Sequence, residues 1–115
     1  MSKLKLRGVM PPMITPFKGN GDVDYNGFAS NMEKWNDTGM SGYLVLGSNS
    51  ETAYLNEEEK LELIKIAAST RKPGKNLLVG SGMESLRETI TLTNKAAKLG
   101  CDAALVLTPS YYNAN

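Results

Sequence analysis

The chain has 115 residues, 41% of them hydrophobic and 22% charged, with a formal net charge of +1. That suffices for one small domain and leaves no field strong enough to suggest a nucleic-acid or membrane-surface partner. With no histidine and one cysteine, neither a zinc-type ligand cluster nor an intrachain disulfide can form, and Cys101 reads as a small buried hydrophobe.

The basic start, Met1 to Arg7, runs into Gly8 and a proline-interrupted stretch rather than an apolar signal region. No run has the length of a membrane span, so a cytoplasmic protein is expected. The first β-prone run is Val9 to Phe17. Pro11 and Pro12 remove ladder donors there, so pairing is expected to start at about Met13. A helix follows from about Asp24 to Thr38. Asp24 can cap its first turn, Phe28, Met32 and Trp35 form one stripe, and Gly39 ends it.

The second strand is Gly42 to Leu46. The next helix starts at Asn56, with Glu57, Glu58 and Glu59 suited to the helix dipole. Asn56 and Glu59 have capping-box spacing, and Leu61, Ile64 and Ala68 form the inward stripe. Pro73-Gly74 breaks the pattern before a third strand, Asn76 to Gly80. Ser85-Leu86-Arg87-Glu88 opens the third helix as a capping box, Leu86, Ile90 and Ala97 are expected inward, and Gly100 closes it. The last strand is Ala103 to Leu107. The strand runs are short and not cleanly alternating, as in strands buried on both faces of a parallel sheet.

The order is βαβαβαβ, an α/β arrangement with right-handed crossovers. An open doubly wound sheet and a (βα)8 barrel share this signature. Both place reactive groups at the carboxyl ends of the strands. Four loops therefore carry any chemistry: Thr15-Pro16-Phe17, Gly47-Ser48-Asn49-Ser50-Glu51, Ser81-Gly82-Met83-Glu84, and Thr108-Pro109-Ser110-Tyr111-Tyr112-Asn113.

In the second loop Gly47 permits tight backbone geometry, and Ser48 and Asn49 offer a hydroxyl and an amide that can hold a carboxylate, although both types also favour ordinary turns. Glu51 is an acid or base in one reading and a structural helix-start charge in the other. Tyr111 and Tyr112 either pack together or pass a proton, the latter if Ser48 lies on the same face. No Walker-type loop occurs. Gly80-Ser81-Gly82 opens like a dinucleotide fingerprint, but Ser85 stands where the third glycine belongs.

At these same loops the sequence resembles the dihydrodipicolinate synthase / N-acetylneuraminate lyase family. The resemblance rests on Gly8 to Phe17, on Gly47-Ser48-Asn49-Ser50-Glu51, and on Thr108-Pro109-Ser110-Tyr111-Tyr112, in order and spacing across essentially the whole chain. Gly-Ser-Asn rather than Gly-Thr-Thr, and one residue between Thr-Pro and Tyr-Tyr, make it most similar to the 4-hydroxy-2-oxoglutarate aldolase branch. Gly80 to Ser85 also resembles that branch's third strand-to-helix junction.

The resemblance implies a TIM (βα)8 barrel, assembled as a homotetramer of two tight dimers, that needs no cofactor or metal. It implies lyase chemistry in which a barrel lysine forms a Schiff base with pyruvate or a related 2-oxo acid. Ser48 matches the relay hydroxyl, and Asn49 its partner at the pyruvate carboxylate. One tyrosine would be the relay phenol that reaches a neighbouring subunit's site: Tyr112 by motif order, with Tyr111 the alternative because Ser110 is extra. Ser50 stands where the family has glycine, which matters if that position needs positive φ.

In the family the Schiff-base lysine lies on the sixth strand and a second relay tyrosine on the fifth. Residues 1–115 are thus expected to form the N-terminal part of one barrel, about its first half, ending after the fourth strand. They would supply binding and relay residues without the lysine, Lys18 being a solvated loop charge, and alone would be inactive. Two other readings stand beside this one: a non-catalytic half-barrel assembly module with unpaired edges, and an open α/β domain with a phosphate at the Ser85 helix start.

Overall fold

The computed structural model describes residues 4–112. Met1, Ser2 and Lys3 of the basic start, and Asn113 of the last expected loop, lie outside the described residues. The first β-prone run is extended chain with one parallel bridge, Pro12 to Leu44, rather than a strand. The carbonyls of Val9 and Pro11 accept from Ser41 and Leu44 at 2.8 and 3.0 Å, and the Met13 N–H donates to Leu44 at 2.8 Å. Pairing therefore begins at Val9, not Met13. A proline loses its donor but keeps its acceptor, so Pro11 can take a rung that it cannot give.

Helix α1 spans Tyr25–Asn36, and the Asp24 side chain accepts from the Gly27 N–H at 2.9 Å as expected. Phe28 and Met32 are buried, with Trp35 packed beside them. The helix stops before Gly39, because the Thr38 hydroxyl and N–H both turn back to the Trp35 carbonyl, at 2.6 and 3.1 Å. Strand β1 is Gly42–Val45.

Helix α2, Glu57–Thr70, has both halves of the capping box: Asn56 Oδ1 accepts from Glu59 N–H at 2.8 Å, and Glu59 Oε1 from Asn56 N–H at 2.9 Å. Its buried residues are Lys60, Leu63, Ile64 and Ala67, so Leu61 and Ala68 flank the stripe rather than form it.

Strand β2 is Asn76–Gly80 and helix α3 is Leu86–Leu99, with Ser85 Oγ accepting from Glu88 N–H at 3.3 Å, which is one half of a capping box. Here the expected face is wrong. Leu86 and Ile90 are 71% and 53% exposed and Ala97 is exposed, while Leu92 and Ala96 are buried. The apolar surface of α3 is wider than one contact can cover, and packing against α2 takes the Leu92–Ala96 side. Gly100 closes the helix in the left-handed conformation, φ 109°. Strand β3 is Ala103–Leu105, shorter than expected, and Val106 and Leu107 continue beyond it exposed.

The strands form a parallel sheet in the order β1-β2-β3, with Gly42 opposite Asn76 and Leu78 opposite Ala103. Strand order follows chain order, with residues 9–13 at the β1 edge. A doubly wound sheet would place the first strand internally, so the open-sheet reading loses its distinguishing feature. One face of the sheet, through Tyr43, Val45, Leu77 and Val79, packs on α1 and α2 and makes the core with Phe28, Met32, Leu63 and Ile64. Each such side chain contributes about 1.5–3 kcal/mol of burial. Leu44 and Leu78 alternate to the opposite face, which carries the site.

Candidate active site

The turn after β1 is built from backbone strain and a buried hydroxyl. Leu46 and Glu51 adopt positive φ, 64° and 58°, which costs non-glycine residues about 1–3 kcal/mol each and clusters at functional sites. Gly47 itself has an ordinary φ of −76°, so the tight geometry lies at Leu46 instead. Between these two residues Ser48–Ser50 forms a single 3-10 turn. Ser50 is 1% exposed and its hydroxyl donates to the Met13 carbonyl, tying the turn to the first extended segment. Ser50 is not among the positive-φ residues. Serine is therefore accommodated there and adds an anchor that glycine would lack.

With the turn held from below, Ser48 and Asn49 are exposed at its tip. Both line a groove of ≈ 230 Å³ on this face of the sheet together with Pro12, Leu44, Leu105 and Leu107. Ser48 also borders a second groove of ≈ 580 Å³ with Glu51, Lys60, Glu84, Thr108 and Ser110. An apolar lining with a hydroxyl and an amide at its rim suits a small molecule with one polar end.

The tyrosines do not join Ser48. Tyr111 and Tyr112 are 80% and 83% exposed and form an edge-on pair with ring centroids 4.9 Å apart. They line a separate groove with Glu84, Pro109 and Ser110. In this conformation Ser110, not a phenol, shares the groove with Ser48. The Ser81 hydroxyl is fully buried against Thr93 Oγ1 at 2.7 Å, so it serves the fold. Cys101 is half-buried, and burial and then the Asp102 charge push its thiol up, away from a reactive thiolate.

Two further residues border the site: Glu84, which the sequence places in the loop after β2 without a role, and Lys60, which carries no sequence signal. Glu84 accepts hydrogen bonds from the Ser110 N–H at 3.1 and 3.2 Å, the Ser110 hydroxyl at 2.9 Å and the Tyr111 N–H at 3.1 Å. Lys60 is 4% exposed, and among the described residues the hydrogen-bond partner of its ammonium is the Met83 sulfur, at 3.2 Å. The two ion pairs among the described residues, Arg71–Asp102 and Lys95–Glu57, do not include it. Burial lowers the Lys60 pKa, with Glu88 and then Glu57 partly opposing the shift.

A buried amine with a thioether for a partner is a net cost to the fold. Lys60→Met is expected to stabilise the chain by about 1–3 kcal/mol at neutral pH. The folded-state pKa lies below the unfolded one. The penalty is thus complete while both states are protonated, and it fades as pH rises through the lowered value toward the ordinary lysine range. Urea denaturation at neutral and mildly alkaline pH reads both effects. Stability that is unchanged by the substitution would mean that Lys60 is solvated.

Among the described residues no group of three or more His, Cys, Asp or Glu side chains could hold a metal ion. No helix there is long and apolar enough to cross a membrane.

A sequence model of the dihydrodipicolinate synthetase family matches residues 5–115. The 4-hydroxy-tetrahydrodipicolinate synthase of Methanothrix thermoacetophila is 40% identical over 107 residues, 93% of this chain and 35% of the relative. That of Kosmotoga olearia is 37% identical over 93% of this chain and 36% of its own length. The chain spans about a third of the length of these curated relatives. Dihydrodipicolinate synthase from Aquifex aeolicus superposes with a TM-score of 0.87 at 33% identity, covering 92% of this chain and 36% of that one. A prophage protein of the dihydrodipicolinic acid synthase family from E. coli K12, solved in complex with pyruvate, gives a TM-score of 0.87 at 30% identity, over 94% of this chain and 36% of that one. The α/β arrangement is thus that of the TIM-barrel structures of this family, in part.

Proposed function

The chain belongs to the dihydrodipicolinate synthetase family, and from that premise we propose that it supplies the carboxylate grip and proton-relay hydroxyls of a Schiff-base-forming lyase acting on pyruvate or a related 2-oxo acid. Supporting this most directly is the joint placement of Ser48 and Asn49 on the rim of the groove at the carboxyl end of β1. In this reading the amine comes from a lysine outside these 115 residues, which are the N-terminal part of a single barrel domain.

The chemistry follows from the groups present. Ser48 and Asn49 donate to the substrate carboxylate and turn its carbonyl carbon toward the amine. As nitrogen attacks, the carbonyl oxygen takes up a proton. It takes a second as it leaves as water. A hydroxyl beside the carboxylate passes both protons without placing a charge over the apolar lining. Tyr112, or Tyr111, extends the relay into a neighbouring subunit of a homotetramer, a role for which an exposed position is suited. The Ser48-Asn49 pair and the extra Ser110 favour the 4-hydroxy-2-oxoglutarate aldolase type over the synthase type.

A chimera tests this. Residues 4–112 replace the matching third of the Methanothrix synthase, and turnover with pyruvate is measured with and without Ser48→Ala. Activity that needs Ser48 is expected, and a chimera indifferent to Ser48 would sink the assignment. A second reading, a non-catalytic half-barrel assembly module, is favoured by the exposed Leu105, Val106 and Leu107. Size that depends on concentration together with absent pyruvate chemistry would support it.

A further inference from the structure

The Thr108 to Tyr112 segment has little to hold it: every residue is exposed, and none belongs to a helix or strand. Its hydrogen bonds converge on one side chain. The Glu84 carboxylate receives the Ser110 N–H, the Ser110 hydroxyl and the Tyr111 N–H, all at 2.9 to 3.2 Å. A carboxylate that closes on two successive backbone amides and a hydroxyl is a charge-assisted clamp, stronger than neutral turn bonds. It bridges the loop after β2 to the loop after β3, 26 residues away in sequence. The residue it grips is Ser110, the extra position between Thr108-Pro109 and the tyrosine pair.

We infer that Glu84 is a positioning residue: by clamping Ser110 and Tyr111 it fixes the direction in which the Tyr111–Tyr112 pair leaves the sheet, and protonation of Glu84 releases it. This rests on the functional reading above for what the tyrosines do; the clamp itself does not. The hydrogen bonds from Tyr111 and then Ser110 hold the Glu84 carboxyl below the usual carboxylate range. The other ionisable groups on the adjoining grooves are Glu51, Tyr54, Lys60, Tyr111 and Tyr112. None of these side-chain groups is among the causes of that shift, which comes from the Tyr111 and Ser110 amides and the Ser110 hydroxyl. With the folded pKa depressed, the clamp is fully formed above the ordinary glutamate range and is lost as pH falls through the lowered value.

The test is an NMR pH titration of the 115-residue chain, following the Ser110 and Tyr111 amide protons. Both are expected to move together with one apparent pKa below the usual glutamate range, and Glu84→Gln is expected to abolish the transition. Glu84→Asp, which keeps the charge on a shorter stem, should restore a weaker one. Unchanged amide shifts elsewhere show that the variants fold. Amides that do not titrate, or that titrate identically in Glu84→Gln, overturn the clamp. In the chimera, Glu84→Gln should lower kcat about tenfold with KM nearly unchanged, and should remove the acid limb that this group sets. An intact titration beside a Ser48-independent chimera would overturn the functional reading alone, whereas Ser48-dependent turnover with no titration would overturn the clamp alone.

Discussion

Replacing Gly80 with alanine is expected to destabilise the chain by about 3 kcal/mol and to displace the turn that carries Ser48. A Cβ at this position would lie 2.2 Å from the Leu46 carbonyl oxygen, 2.8 Å from its carbon and 3.2 Å from the Gly47 nitrogen. All three are backbone atoms, so no side-chain rotation relieves the contact. The Leu46 backbone is also poorly able to retreat, since it is held at φ 64° and its side chain is 1% exposed. Either β2 moves from β1 or the Leu46–Gly47 link moves, and the second carries Ser48 and Asn49 with it. Urea denaturation reads the loss, with Gly19→Ala, where nothing lies within 4 Å, as the control. Equal midpoints for the two variants would mean that β1 and β2 are not this close.

Ser48→Ala in the chimera is expected to lower kcat by about 10²- to 10⁴-fold, the usual worth of a positioned proton-transfer group. The turn should survive, because Ser50, not Ser48, anchors it to Met13. A loss in kcat therefore reports proton transfer rather than collapse of the loop. Asn49→Ala should instead raise KM with a smaller change in kcat, since a carboxylate grip acts in ground and transition states alike. Ser48→Thr keeps the hydroxyl and should retain most of the rate. Steady-state kinetics separate these outcomes. If Asn49→Ala lowered kcat and Ser48→Ala only raised KM, the two roles would be exchanged.

Features set by neighbours in sequence were legible in advance. Asp24, Asn56 and Ser85 each cap the helix they precede, because a cap needs only a short acceptor side chain beside free amides. Strand cores at Gly42 to Val45 and Asn76 to Gly80 followed from β-prone runs between breakers. The inward face of α2 followed only at Ile64 and that of α3 not at all, because both helices are apolar over a wide arc and the partner decides which part is covered. Nothing in a glutamate-rich first turn announces that Lys60 is buried.

The site divides in the same way. Ser48 and Asn49 could be placed at a strand's carboxyl end from order and spacing. Gly47 drew attention as the flexible residue, yet the positive φ falls on Leu46 and Glu51, types that give no such signal. The clamp by Glu84 joins two loops far apart in sequence. The sequence placed Glu84 and the surplus Ser110 in two strand-end loops, and only coordinates show that one grips the other.

Whether these residues hold the amine is read from the intact mass of two polypeptides after incubation with pyruvate and borohydride: the 115-residue chain and the chimera that carries residues 4–112 of it. No adduct is expected on the chain alone, and one reduced pyruvate per chimera, mapped to a lysine outside residues 4–112. Pyruvate trapped at a lysine of the 115-residue chain itself would contradict the proposal that these residues supply the grip and the relay but not the amine.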